Sequence, residues 1–446
     1  MNIINNIDVK TLFSLVCVLF YLAFSQNLMA KDTPLDTSIL GLNDIAYLWP
    51  IPKTRNDVDA LIDAELPISN GEILSQNTFN KIINFAKSKV NGVDETGNDV
   101  KISFVSGAGI FENQLKVRKN WKLVGFRVDP SAPSASSNVI SLMGSIPQIR
   151  LILQPVTVND TGEVTIHDYT VHLPFNFVLN AQPPFSPDKV AFTNILKDLL
   201  SLKASLLSIP NSESMDGPLK VNNNLSNPTF SNKVATFLHD NLSDNRLILI
   251  AFMGIAKSDQ WVFFDFNLMS DNSSSPNSQL LHVKPGTING FVGNRIGNQI
   301  NDNFNKCKGI STAVLFDSNI QSRLDSKVEC LDSAKSAITT PLIKDIPNII
   351  ANPSLSNVLN TDCVSCHTES TRRSLLDLTD VDTYRFQLPA LEPFVLSEFL
   401  PKDKWNVRNF GWFTKDVLTN PKAIISSRTA NETASSLEFI KNNYPN

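Results

Sequence analysis

Two cysteines and a histidine stand close together in the last quarter of the chain, in the stretch "DCVSCH". Cys363 and Cys366 are separated by two residues, and His367 follows the second cysteine directly. Thiols at this spacing form thioether bonds to the two vinyl groups of haem, and a histidine in the next position then lies beneath the iron as an axial nitrogen ligand. The pattern therefore predicts one covalently attached haem c.

Through these three residues the chain resembles the c-type cytochromes. The likeness covers Cys363, Cys366 and His367 and, more loosely, the closing segment, where Leu437 to Tyr444 would suit the C-terminal helix that packs near the haem in small members of that family. The resemblance implies thioether bonds at both cysteines and proximal iron ligation by His367. The motif and the long region before it also resemble uncharacterised exported single-haem proteins of bacteria.

Other uses of the cysteines compete with haem attachment. Cys363 and Cys366 would alone make a disulfide or a redox-active pair, although the preceding "LSNVLNTD" is not the apolar strand that precedes a thioredoxin-like site. Zinc shared between this pair and Cys307 with Cys330 would have two ligands widely separated in sequence, in place of two close doublets. If haem takes the later pair, we expect Cys307 and Cys330 to form a disulfide.

The sixth coordination position of the iron has no evident ligand in the sequence. Small c-type cytochromes usually supply a methionine downstream of the histidine, but no Met or His follows His367. Met253, in the apolar run "IAFMGI", is our first candidate and His239 our second. His167 and His172, in "VTIHDYTVH", would face opposite sides of a regular strand and could not both bind one iron. Without a side-chain ligand, the iron would be open to small molecules.

Basic and aromatic residues near the motif fit a haem pocket. Arg372 and Arg373 follow the motif closely enough to pair with the haem propionates, since a guanidinium binds a carboxylate in a fork. A solvated helix turn is the alternative for this pair. The stretch "WNVRNFGWF" gathers four aromatic side chains, which would form either a wall beside the porphyrin or an ordinary small core.

The start of the chain indicates a secretory signal. A polar beginning is followed by the apolar run "TLFSLVCVLFYLAFS", with small residues at Ala23 and Ser25. We expect a signal peptide over 1–25, with cleavage after Ala30 as the alternative, and Cys17 would be lost with it. The apolar run is shorter than the ~20 residues that span a bilayer. We therefore expect a periplasmic or secreted protein with no integral membrane span after cleavage.

Length, charge and hydrophobic pattern predict an α+β protein. The 446 residues allow two domains, and the net charge of −4 argues against a nucleic-acid partner, because phosphate binding depends on clustered Lys and Arg. Residues 31–335 are expected to form a strand-rich antiparallel domain with flanking helices. Residues 336–446 are expected to form a smaller, mainly helical, cytochrome c-like region that binds the haem.

Local patterns specify several of these elements. "NTFNKIINFAKSKV" has helical spacing through Val90, and a second helix is expected to begin after Ser186-Pro187-Asp188. "VTVNDTGEVTI" predicts two strand ends joined by a tight turn, and "RLILIAFMGI" with "QWVFFDFNLM" predicts a hairpin. The chain is expected to close with a helix whose apolar stripe contains Ala430, Ala434, Leu437, Ile440 and Tyr444.

Together these features favour an exported c-type haem protein that transfers electrons to or from a redox partner protein in the periplasm. A second hypothesis is an open-site haem enzyme or sensor, with peroxidase-like activity or binding of a diatomic gas, in which the strand-rich domain supplies the distal wall. A third is a non-haem secreted binding protein in which the two cysteines of the motif form a disulfide. Covalent haem separates the first two hypotheses from the third, and the sixth iron ligand separates the first from the second.

Overall fold

An antiparallel sheet is the largest element of the structure, which is a computed structural model. The predicted signal peptide over 1–25 and the alternative cleavage site at Ala30 lie outside the described residues. The structure describes residues 35–86, 89–93, 99–103, 113–132, 140–141, 144–167, 169–180, 184–247, 249–256, 260–270, 279–283, 288–292, 295–300, 350–354, 369, 394–401, 409–413 and 421–444.

The strands are short at the beginning of the chain and long in its middle. In chain order they are β1 (Ala46–Leu48), β2 (Pro67–Ile68), β3 (Gly71–Glu72), β4 (Lys89–Val93), β5 (Asp99–Ser103), β6 (Trp121–Ala132), β7 (Ile146–Val158), β8 (Val164–Ile166), β9 (Tyr169–Asn176), β10 (Leu249–Ala256), β11 (Gln260–Ser270), β12 (Gln279–Val283), β13 (Ile288–Val292), β14 (Arg295–Ile300), β15 (Phe410–Phe413) and β16 (Lys422–Ile425).

The main sheet has the order β1-β6-β7-β9-β10-β11-β13-β14, with β8 paired to β7 and β12 paired to β11. Two-stranded ladders join β2 to β3, β4 to β5 and β15 to β16. All of these pairs are antiparallel. The expectation of a strand-rich antiparallel sheet with flanking helices is confirmed.

Six α-helices have both ends within the described residues, and the longest two were expected from their apolar spacing or their end signals. They are α1 (Leu42–Ile45), α2 (Arg55–Asp59), α3 (Gln76–Ala86), α4 (Lys189–Leu207), α5 (Pro228–Asn241) and α6 (Ser427–Asn443). None of the helices in these parts of the chain is long and apolar enough to cross a membrane.

The helix α4 agrees with its sequence pattern in detail. The Asp188 side chain accepts a hydrogen bond of 3.1 Å from the Ala191 backbone N–H and so caps the first turn. The predicted apolar stripe of α4 is buried, namely Phe192, Ile195, Leu196, Leu199, Leu202 and Leu206.

The turn between β7 and β8 and the hairpin of β10 with β11 were also expected from the sequence, but the predicted end of α3 was wrong. Gly162 has a φ of +86° in the turn that joins β7 to β8, a conformation that glycine adopts without strain. The predicted hairpin of β10 and β11 is present, with Leu249 opposite Asn267 at its open end. The helix predicted through Val90 instead ends at Ala86, because Val90 pairs with Ile102 in the β4–β5 ladder.

One face of the main sheet packs against α5, and we call it the helix face. Phe126 of β6 stacks on Tyr47 with ring centroids 4.6 Å apart and lies 6.0 Å from the Phe237 ring of α5. Directly opposed residues share a face of a sheet. The register of Phe126 with Leu151, and of Leu151 with Leu173, therefore extends this apolar face across β7 and β9.

The opposite face carries polar and charged side chains, and we call it the polar face. Side chains alternate along a strand, so Arg127, next to Phe126, points to this face together with its partner Arg150. The pairing of Ile152 with His172, and of Met253 with Thr170, extends the polar face across β9 and β10. In the described parts of residues 336–446, β15 and α6 both pack on β6 of this sheet.

Candidate functional site

The residues predicted to hold the haem lie outside the described part of the chain. Residues 350–354 before the motif and Glu369 after it are described. The predicted site residues that lie outside are Cys363, Cys366, His367, Arg372, Arg373 and the disulfide pair Cys307 and Cys330.

The chain that leads into the motif is fixed to α6 through its main chain. Arg428 donates a hydrogen bond of 2.8 Å from Nη1 to the Ile350 carbonyl oxygen. Asn431 donates one of 3.0 Å from Nδ2 to the Ala351 carbonyl oxygen. Ile350 and Ala351 are fully buried, and so is Glu369, the second residue after His367. Ile350, Ala351 and Glu369 are therefore packed into the interior of the protein.

The last helix turns polar side chains inward, which its apolar pattern does not predict. Ser426 caps α6 by accepting a hydrogen bond of 3.1 Å from the Thr429 backbone N–H. Thr433 is fully buried and donates to the Thr429 carbonyl oxygen at 2.8 Å, and Ser436 lies 3.4 Å from Asp129 on β6. The helix takes this orientation because the sheet surface beneath it is the polar face.

The apolar stripe predicted for α6 is therefore buried only in part. Ala430 and Ile440 are buried as expected, but Ala434 and Leu437 remain partly exposed. Tyr444 contacts the Phe192 ring of α4, with centroids 5.4 Å apart.

A group of charges, which we call the arginine cluster, lies between α6 and the sheet: Arg127, Asp129, Arg150, Arg428 and Glu432. Arg127, Asp129 and Arg428 are buried, and Arg150 and Glu432 are partly exposed. Arg127 donates from Nη2 to Asp129 at 3.0 Å and to Glu432 at 2.8 Å. Arg428 donates from Nε to the other oxygen of Glu432 at 2.7 Å. Because Arg428 also binds the Ile350 carbonyl, the cluster connects β6 to the chain ahead of the motif.

The cluster keeps its carboxylate ionised. Burial raises the pKa of Glu432, but the positive charges of Arg428, Arg127 and Arg150 outweigh this effect and bring the pKa to about 2. Burial lowers the pKa of Arg127, and the charges of Glu432 and Asp129 reverse that effect, so that its pKa is raised above the usual value. The ion pairs of the cluster therefore persist throughout the neutral pH range.

The sequence of β6 contains a local signal for this cluster. Arg127 and Asp129 alternate with Phe126 and Val128 in a strand that is otherwise apolar. Charges on one face of such a strand are rarely buried without partners. Such a pattern therefore predicts a charged element packed on that face.

The strand β15 is attached to the polar face through a pair of side-chain to main-chain hydrogen bonds. Gln154 donates from Nε2 to the Trp412 carbonyl oxygen at 2.8 Å and accepts from the Trp412 backbone N–H at 2.7 Å. The Trp412 indole donates to the Trp49 carbonyl oxygen at 2.9 Å. Gly125 permits this approach, because a Cβ there would lie 2.7 Å from Cε1 of Phe410.

The aromatic stretch "WNVRNFGWF" is thus used at least in part for packing on the sheet. Phe410, Trp412 and Phe413 are buried, and Trp412 is fully enclosed. Trp405 lies outside the described residues. Packing in an ordinary small core, the second of the two roles expected for this stretch, accounts for Phe410, Trp412 and Phe413.

The candidates for the sixth iron ligand fall on different sides of the sheet. Met253 is 3% exposed on the polar face, opposite Thr170 in β9. His239 lies at the end of α5, which packs on the helix face, and its exposed ring is 2.7 Å from the Asp240 carboxylate. Met253 and His239 therefore lie on opposite faces of the main sheet, and α6 lies on the same face as Met253.

The expectation that His167 and His172 share one regular strand is wrong. His167 follows β8, outside any strand, and its Nε2 lies 2.8 Å from the Thr157 hydroxyl. His172 lies within β9, half-buried and paired with Ile152 and Ala251. The two histidines are separated by a change of strand, so only His172 belongs to the polar face of the sheet.

Two further polar groups on this face are enclosed. Gln148 is 2% exposed and Thr170 is 1% exposed. In the part of the chain that the structure describes, neither Gln148 Nε2 nor the Thr170 hydroxyl has a hydrogen-bond partner. Among the described residues, no group of three or more His, Cys, Asp or Glu side chains is arranged to hold a metal ion.

Comparison of the chain with protein-family models, with curated proteins and with solved structures finds no match.

Proposed function

We propose that the protein is an exported c-type haem protein that transfers electrons to or from a redox partner in the periplasm. One haem c would be attached to Cys363 and Cys366, with His367 as the proximal iron ligand. The observation that carries the proposal is the motif "DCVSCH", because two thiols and an adjoining imidazole are the donor set that covalent haem requires. The apolar run near the start of the chain supports export.

The contacts of the described residues near the motif are compatible with a role in electron transfer. Bound haem supplies an iron that cycles between Fe(II) and Fe(III), and its potential depends on axial ligands, burial and nearby charge. The hydrogen bonds from Arg428 and Asn431 hold the main chain ahead of the motif, and Glu369 is buried just after it. These contacts fix residues 350 and 351 to the last helix, which is compatible with a centre that changes only its oxidation state.

The remaining assignments belong to the same proposal. Arg372 and Arg373 would bind the haem propionates, and residues 336–446 would form the haem c-binding region with a cytochrome c-like helical part. A disulfide between Cys307 and Cys330 would form in the oxidising compartment. Met253 is the sixth ligand that the sequence favours, and its place on the polar face is compatible with that role.

Covalent attachment is tested first. The full chain is produced together with a c-haem maturation system, and the pyridine haemochrome spectrum is measured before and after extraction with acidified acetone. We expect a c-type spectrum that survives extraction in the wild type, and its loss when Cys363 and Cys366 are both replaced by Ala. The double variant Cys307→Ser with Cys330→Ser is the matched control and should keep the haem. A colourless wild type with a Cys363–Cys366 disulfide would overturn the proposal and favour a secreted binding protein.

The lack of Met and His after His367 favours one other candidate, an open-site haem enzyme or sensor. In that case no side chain would fill the sixth position, and the ferric spectrum would be high-spin. Carbon monoxide would bind the reduced protein rapidly, and peroxide would be turned over. A low-spin ferric spectrum with a reversible reduction potential and slow binding of carbon monoxide would support electron transfer.

A further inference from the structure

We propose that a groove beside the last helix binds a second copy of this chain, so that two copies form a symmetric dimer. The proposal goes beyond the proposed function, because it uses only residues that the structure describes and does not require haem. The surface, which we call the α6 groove, is lined chiefly by Leu42, Phe394, Ala434, Leu437, Glu438 and Lys441.

The α6 groove is an open depression of about 420 Å³ between α6, the start of α1 and the segment that contains Phe394. Its residues on α6 extend from Asn431 to Asn442, a distance of about 16 Å along a helix. Ala434 and Leu437 lie in this range and are partly exposed, although they belong to the apolar stripe of the helix. The groove is therefore long, apolar along its floor and open to a second protein surface.

An exposed leucine lies next to the groove. The Leu219 backbone N–H donates to the Phe394 carbonyl oxygen at 2.8 Å, and the Leu219 carbonyl oxygen accepts from the Leu396 N–H at 3.3 Å. This segment is extended, and Val395 in its middle is buried, so Phe394 and Leu396 point to the outer side. Leu396 is 37% exposed. Exposed apolar side chains beside a groove with a polar rim indicate a protein-binding surface.

The charges at the rim of the groove favour a second copy of the chain as the partner. Glu438 and Lys441 are three residues apart on α6 and line the same groove. Among the described residues, neither side chain has an ion-pair partner. One charge of each sign gives a strongly acidic or basic partner no electrostatic advantage. A two-fold axis that crosses α6 between these residues brings Glu438 of each copy opposite Lys441 of the other, and both ion pairs form at once.

The shape of the surface also fits a second copy. A two-fold interface uses the same surface on both copies, so that surface must contain both a depression and a side chain that enters one. The α6 groove is the depression, and Leu396 beside it is the side chain. The contact buries Leu396 and Leu437 at the centre and leaves the charged residues at the edge, as in stable interfaces.

The mass of the full chain in solution is the first test. Sedimentation equilibrium is measured over a wide range of protein concentration, with and without haem loading. We expect twice the mass of one chain at high concentration and reversible dissociation on dilution in both preparations. A wild type that keeps the mass of one chain up to the highest concentration reached would overturn the proposal, whether the groove binds another protein, a small molecule or nothing.

Charge reversals then identify the interface. Glu438→Lys and Lys441→Glu each place like charges opposite one another, so each should weaken dimerisation about tenfold or more. The double variant Glu438→Lys with Lys441→Glu exchanges the two charges, and we expect it to restore the dimer because both ion pairs form again. A dimer that neither single reversal weakens, or that the double variant does not restore, contradicts the predicted pairing.

A matched pair of apolar variants tests the centre of the interface. Leu396→Asp should give a monomer, because it buries an unpaired charge in the contact. Val117→Asp is the control: Val117 is 47% exposed and precedes β6, whereas α6 packs near Asp129 at the other end of that strand. The control should remain dimeric, and circular dichroism checks that both variants are folded. A folded Leu396→Asp variant that is still a dimer would place the interface elsewhere.

The result is independent of the haem assignment. If the chain carries no thioether-bound haem but dimerises through the α6 groove, the proposed function fails and this inference stands. If the haem is attached and the chain is monomeric, this inference fails and the proposed function stands.

Discussion

Arg428 on the last helix donates a hydrogen bond from Nη1 to the carbonyl oxygen of Ile350, 2.8 Å away. The same guanidinium binds Glu432 through Nε at 2.7 Å. One side chain thus joins a buried ion pair to the main chain that leads into the haem motif. The two contacts make Arg428 the residue that joins Ile350, through Glu432, to Arg127 of β6.

Replacing Arg428 by Ala should strongly destabilise the protein. The change leaves the Ile350 carbonyl without its donor and removes a buried partner of Glu432, a loss on the order of 3 kcal/mol or more. The free energy of unfolding, measured by urea denaturation of the haem-loaded chain, provides the test.

Glu438→Gln is the matched control for Arg428→Ala, because Glu438 is an exposed residue of the same helix. Its effect should stay within about 0.5 kcal/mol. Equal stability of Arg428→Ala and the wild type would show that the contacts to Ile350 and Glu432 contribute little.

The stability of the protein should fall with pH in a range set by Glu432. Its pKa is lowered from an ordinary value of 4.5 to about 2 in the folded protein. A carboxyl group with a lowered pKa stabilises the fold above its unfolded pKa, and this stabilisation is lost as the pH falls toward the folded value. The shift corresponds to a contribution on the order of 3 kcal/mol.

The pH effect of Glu432 is isolated by comparison with Glu432→Gln. We expect the difference in unfolding free energy between wild type and variant to be largest near pH 6 and to shrink between pH 4.5 and pH 2. Other carboxyl groups titrate in both proteins and cancel in the difference. A difference that does not change with pH would contradict the lowered pKa.

Gln154→Ala should detach β15 from the sheet. The substitution leaves the buried N–H and C=O groups of Trp412 without partners, which costs about 2–4 kcal/mol for the two groups together. Thermal unfolding and tryptophan fluorescence report the change, since Trp412 is fully buried.

Gln76→Ala serves as the control for Gln154→Ala. Gln76 is exposed on α3 and binds only the nearby Asn80 side chain in the described contacts. We expect little change in stability and no change in tryptophan fluorescence. A similar loss for both variants would indicate that the two hydrogen bonds to Trp412 are not a specific attachment.

The mature protein should contain no free thiol. Haem would take Cys363 and Cys366, and a disulfide would take Cys307 and Cys330. Alkylation of the unfolded chain followed by mass measurement should therefore add no label before reduction and two labels after it. Two labels before reduction would show that Cys307 and Cys330 are free, while the haem assignment would remain.

Much of the described fold follows from local patterns. The cap and apolar stripe of α4, the glycine turn after β7 and the hairpin of β10 with β11 each depend on residues close together in the chain. The sequence does not predict that α3 ends before Val90. The apolar spacing there is compatible with a helix, but pairing of β4 with β5 overrides it.

The contacts on the polar face could not be predicted from local sequence patterns. The contact between Arg127 and Glu432 joins residues 305 positions apart, and the contact between Gln154 and Trp412 joins residues 258 positions apart. The sequence around each of these residues does not indicate which distant residue it contacts. The sequence pattern predicts one strand through both His167 and His172, and only the register of β9 with β7 and β10 places His172 beside Ile152 and Ala251.

The last helix, α6, is synthesised after the residues that it holds, and this affects the order in which the protein can fold. The helix follows the haem motif in the chain, so the hydrogen bonds from Arg428 and Asn431 to residues 350 and 351 cannot form until α6 has been made. If the protein is exported and carries haem, as proposed, these hydrogen bonds would still be absent while the chain crosses the membrane. Docking of α6 would then be a late step of folding, in which the last helix fixes residues 350 and 351 to the rest of the protein.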